Sequence, residues 1–141
     1  MIIEILSASV ATFFFAILFN VKKEHLILAA LGGGLAIFIY EISIYFNMNS
    51  YSAIFIAAII LAIYCEILAR IKKTTVTTFA ICALIPLVPG KCMYVTMISF
   101  VNNDLDQALV AGLNTLASAG LLALGILLVS TFAKSLKRNK I

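Results

Sequence analysis

Between Leu26 and Phe46 the only charged residue is Glu41, and between Tyr51 and Ala69 the only one is Glu66. A helix needs about 20 consecutive, mostly apolar residues to cross the hydrocarbon core of a bilayer. Three further apolar runs accompany these two, over about 4–20, 76–101 and 108–133. The chain has 141 residues, 64% of them hydrophobic and 11% charged, where an ordinary soluble domain is about one quarter charged. A domain of this size buries only part of its surface, so lipid has to be the solvent for most of it. Backbone polar groups in lipid must be satisfied internally, which leaves helices or a closed barrel, and runs of this length are helical. The predicted fold class is therefore all-α: a single polytopic membrane domain over residues 1–141 with about five transmembrane helices.

The loops carry the orientation. Lys22 and Lys23 follow the first run, Arg70, Lys72 and Lys73 the third, and Lys134, Lys137, Arg138 and Lys140 the fifth. The turns Asn47–Ser50 and Asn102–Asp106 contain no Lys or Arg. Cytoplasmic loops hold the basic residues, so this alternation predicts a multi-pass protein of the cytoplasmic membrane. Its N-terminus would lie outside and its C-terminus inside. No positive charge precedes the first run and no small-residue cleavage site follows it, so it reads as a span rather than a leader. Tyr40, Tyr45 and Tyr51 cluster at the predicted outer boundary as an aromatic belt.

Ten residues are Lys or Arg, and the tenth, Lys91, falls inside the fourth run. Just before it stand Pro86, Pro89 and Gly90. Proline removes a donor and clashes with the preceding turn, and glycine admits conformations other residues resist. The fourth span is thus predicted to break at Pro86–Lys91. Counted along the run, the break falls near the midplane, where broken transporter helices hold their solutes. The half-helix after it would present free N–H groups and a partial positive charge, to which Lys91 adds a full one. An ionised lysine at mid-membrane costs about 2.5–3.5 kcal/mol on insertion scales. The nearer end of the run is about 15 Å away, beyond a lysine's reach. Lys91 either faces a cavity or pairs with a carboxylate that holds the fold; the combination favours a small carboxylate-bearing solute.

Other polar residues admit plainer roles. Glu41 is a proton or cation site, an ion-pair partner for Lys91, or an interfacial carboxylate among headgroups. Glu66 and Arg70 have the spacing of a pair on one helix face. Asn114, Thr115 and Ser118 share a face of the fifth span and are placed to hydrogen-bond across to the broken one; Asn114 is also a candidate for solute contact. The small residues around Gly32–Gly34 and from Gly112 to Gly125 mark helix–helix contacts, within the chain, with a partner or in a homo-oligomer.

Several functions are unsupported. No basic face with interleaved aromatics suggests nucleic acid. Cys65, Cys82 and Cys92 lack metal-site spacing and read as buried free thiols. His25 reads as a surface loop residue. There is no phosphate-cradling lysine loop, no histidine in any span, and no nucleophile–base pair, so neither an enzyme nor a cofactor is expected.

The stretch Ala83–Gly90, with Tyr94 and Met97-Ile98-Ser99 after it, resembles the threonine/serine exporter family. Its C-terminal domain carries a similar Ile-Pro-x-x-Pro-Gly segment followed by a tyrosine. Phe15–Val21 is similar to the family's first span and loop, and the likeness extends along the chain in span order. The resemblance implies a proton-gradient-driven exporter of small amino acids. It also implies the small subunit of a split system, whose larger membrane partner carries the N-terminal half. Some split systems export a dicarboxylate, succinate, instead. Taken together, the candidate solute-contacting residues are Pro86, Pro89, Gly90, Lys91, Tyr94 and Asn114. The rival of another class is a structural or assembly subunit that leaves transport to its partner.

Overall fold

The computed structural model describes residues 2–138, with side chains to Ser135. Lys140 of the basic tail, and the side chains of Lys137 and Arg138, lie outside the described residues. The elements are α1 (Ile2–Leu18), α2 (Lys23–Tyr45), α3 (Ser50–Ile71), α4 (Val76–Leu84), a 3-10 turn (Ile85–Leu87), α5 (Gly90–Val101) and α6 (Leu105–Arg138). No strand occurs among the described residues.

The helices stop by a shared device. Asn20, Asn47, Lys73 and Asn103 have φ of 55°, 57°, 50° and 60°, a left-handed conformation that ends a helix. At each one the next amide folds back to a carbonyl of the last turn: Val21 to Ala16 (3.0 Å), Met48 to Ser43 (3.1 Å), Thr74 to Ala69 (3.0 Å) and Asp104 to Ser99 (2.9 Å). Asparagine tolerates this conformation better than most residues, because its short side chain bonds locally. Starts are marked less uniformly. The Asn49 side chain accepts the Tyr51 N–H at 3.4 Å to open α3.

Helices α2, α3 and α6 are long and apolar enough to cross a membrane, and the α4–α5 pair is a fourth candidate bent by 55°. Apolar α1, at 17 residues, falls short of the usual length. The architecture is that of a polytopic membrane protein of about four to five spans. Helix α6, with 34 residues, would measure about 51 Å, well beyond a hydrocarbon core of about 30 Å.

Small side chains make the core. Ala16, Ala29, Ala36, Ala53, Ala57, Ala58 and Ala83 are fully buried. This suits a bundle in lipid, where close backbone approach replaces the hydrophobic drive. Gly33 shows how tight the approach is: a Cβ there would collide with the Thr12 side chain of α1. On the other side, a Cβ at Gly125 of α6 would meet Ala58 of α3 at 2.9 Å. Helix α4 packs against α1, α2 and α3, whereas α5 turns away and lies along α6.

The Glu66–Arg70 pair forms as its spacing predicts, at 3.1 Å. The same guanidinium donates to the Ala133 carbonyl at 3.0 Å, tying α3 to α6. Cys65 and Cys82 are buried free thiols, and Cys92 is half-buried.

Candidate functional site

The break forms as a short irregular link. After α4, Pro86 sits at the start of the 3-10 turn, whose end is held by Val88 N–H donating to Ile85 O (3.2 Å). Pro89 has φ −73° and ψ 57°, close to the inverse γ-turn minimum. Gly90 N–H accordingly donates to Val88 O at 2.7 Å. Proline's ring fixes φ near this value, so Pro89 is well matched to the corner. Helix α5 then begins. Met93 N–H reaches Pro89 O at 3.1 Å, while the amides of Lys91 and Cys92 have no acceptor among the described residues.

Two expectations about the break need correction. Gly90 does not supply a left-handed conformation, since no glycine has positive φ among the described residues. Nor is it crowded, because a Cβ there would meet nothing within 4 Å. Its contribution is an open, side-chain-free floor. Asn114, Thr115 and Ser118 do not bridge to the break either. The two hydroxyls donate to Ala111 O and Asn114 O of their own helix, both at 2.8 Å, the common fate of a hydroxyl inside a helix. Asn114 Oδ1 instead accepts from the Tyr51 hydroxyl at 2.8 Å.

A cleft of about 470 Å³ opens at the link, within the size range of small-molecule sites. It brings together Pro86, Pro89, Gly90, Lys91 and Asn114, along with Tyr40 and Tyr51. Asn49, Ser50 and Tyr51 also line it, so it lies toward the α2–α3 turn rather than at the middle of those helices. The run's midpoint misplaces it because α4 and α5 are not collinear. Lys91 is exposed and makes no ion pair among the described residues. No Asp or Glu lines the cleft among the described residues.

Two predicted site residues stand apart. Tyr94 is 65% exposed on α5 and does not line the cleft. Glu41 does not pair with Lys91. It borders a neighbouring cleft of about 430 Å³ with Glu4, Tyr40 and Pro86, on the other side of the link. Sequence reasoning missed Tyr51 as a site residue, having placed it in the aromatic belt. Its position two residues after the Asn49 cap was the available signal.

The cleft is chemically one-sided. A lysine and two unpartnered amides at the start of a helix supply positive potential. The Tyr51–Asn114 pair and the Tyr40 hydroxyl supply neutral polar contacts. Such a surface can hold a carboxylate and orient a hydroxyl or amino group beside it.

The family model described as Threonine/Serine exporter, ThrE matches residues 4–132. No solved structure matches the chain.

Proposed function

The chain belongs to the threonine/serine exporter family, and from that premise we propose that it is the small subunit of a proton-driven exporter of small amino acids. It would act in the cytoplasmic membrane, with its N-terminus outside and its C-terminus inside. The observation that carries this reading is the break cleft, a space of about 470 Å³ lined by Lys91 and Cys92, whose amides have no backbone acceptor. Pro86 and Pro89 shape the cleft, and Gly90 keeps its floor clear. The solute's carboxylate would lie against Gly90 and Lys91, and its remaining polar groups against Asn114. Tyr94, on the exposed face of α5, would meet the solute from the side that a partner covers. Glu41, across the link, is the proposed proton or ion-pair site.

A larger membrane partner fits because the cleft is open to one side of a small bundle. The apolar residues Met93, Met97, Leu109, Leu113 and Leu116 of α5 and α6 are exposed beside it. A path between two subunits is easier to enclose than one within these helices alone.

A second reading, export of a dicarboxylate such as succinate, is favoured by the lack of any acidic side chain among the described residues of the cleft. A zwitterion's ammonium has only neutral acceptors there, whereas a second carboxylate adds no unpaired cation.

Efflux of labelled threonine, serine and succinate is the test, in cells lacking the native system and with and without the candidate partner. Lys91→Ala should reduce efflux tenfold or more with insertion unchanged, about the loss of one charge-assisted contact. Undiminished efflux in Lys91→Ala and in Gly90→Leu would remove the cleft from the solute path. An effect on complex stability alone would favour the assembly role.

A further inference from the structure

Away from the break, the fold holds a second cleft that the export reading does not use. It measures about 370 Å³ and lies at the basic-loop end of the helices. Its walls are the α1–α2 loop and the approach to α4, including Asn20, Lys22, His25, Thr74, Thr77 and Thr78. His25, expected on the surface, is in the first turn of α2 and only 6% exposed. Its ring packs at 66° to that of Phe79, with centroids 5.4 Å apart.

His25 Nδ1 is sealed and has no hydrogen-bond partner. No described residue bonds Nε2 either, and Nε2 is the nitrogen left facing the cleft. Nδ1 is closed off, so Nε2 is the one ring nitrogen that can meet a group arriving in the cleft that His25 lines. Around it are an ammonium and threonine hydroxyls, with no acidic side chain among the described residues. Thr78 already shares a hydrogen bond with Thr75 at 2.8 Å, which leaves Thr74 and Thr77 available. The complement of this set is an oxyanion.

We propose that this cleft is a second binding site for the carboxylate of a small solute, with Lys22 supplying the charge and His25 Nε2–H the directional hydrogen bond. The identity of the solute rests on the export reading. Phe79, against which His25 lies, is fully buried. Cys82 lines this cleft and Pro86 the other, one helical turn further along the chain. Ala83, fully buried, lies between these two positions along the chain. The chain thus carries a carboxylate site toward each end of α4.

His25 is the only histidine, so ¹⁵N-histidine labelling gives a single imidazole to follow by NMR. The full chain is placed in nanodiscs of phosphatidylcholine and titrated with threonine, serine and succinate. A parallel sample contains phosphatidylglycerol and no solute. At least one solute should move the Nε2 resonance saturably. Lys22→Gln, a change at an exposed loop position, should raise the midpoint about tenfold, and Lys91→Ala should leave it unchanged. Flat titrations overturn the proposal. So does a shift caused by phosphatidylglycerol alone, which would make this a lipid headgroup site, or a shift abolished by Lys91→Ala but not by Lys22→Gln. A saturable shift that needs Lys22, alongside absent efflux, keeps this site and refutes the export reading separately.

Discussion

Tyr51 joins the first turn of α3 to the N-terminal third of α6 through one hydrogen bond, from its hydroxyl to Asn114 Oδ1 at 2.8 Å. Both partners line the break cleft, so the bond braces its wall. Tyr51→Phe removes the donor and leaves the Asn114 carbonyl unpaired, at a cost of about 1 kcal/mol. Thermal unfolding in detergent should show a lower midpoint, and an unchanged midpoint would mean that Asn114 finds another donor. The readability of such residues followed the kind of information each one carries. Lys91 was legible because a charge inside an apolar run is anomalous wherever the helix goes. His25 was not, because Lys22, Lys23 and Glu24 give it a polar neighbourhood in sequence while the helix start turns its ring inward against Phe79. Gly90 was legible in position but not in role, since flexibility and the mere absence of a side chain look alike in a sequence.

At the level of the element, the bend between α4 and α5 is the feature on which the candidate site depends. The corner at Pro89 matches proline's own φ, and Pro86 opens the 3-10 turn, so the two rings together set the 55° change of direction. With spin labels at Thr77→Cys and Asn102→Cys in an otherwise cysteine-free chain, Pro86→Ala with Pro89→Ala should lengthen the interspin distance. A continuous helix would place these backbones about 37 Å apart. An unchanged distance would assign the bend to the packing of α5 on α6 instead. That a break occurs here was plain from the prolines. Which helix receives each half was not, because nothing local tells α5 to leave α2 and α3 and lie on α6.

For the whole molecule, the alternation of basic and neutral loops sets the proposed orientation. Single cysteines at Asn47 and Asn103 should react with an impermeant maleimide in intact cells, and ones at Lys22 and Lys72 only after permeabilisation. The reverse pattern would invert the proposed orientation. The run lengths gave the order of helices well, since apolar length is a property of each segment alone. The status of α1 as a full span was less visible, because its 17 residues fall at the edge of what a bilayer takes. The left-handed helix stops at Asn20, Asn47, Lys73 and Asn103 add a consequence for how the protein is made. Each is closed by hydrogen bonds between residues five apart or fewer in the chain, so each turn is fixed before any distant partner exists. During synthesis the α1–α2, α2–α3 and α3–α4 hairpins can close in order as they leave the ribosome. The α5–α6 hairpin can likewise form on its own, leaving only its docking through α6 onto α3 to complete the protein.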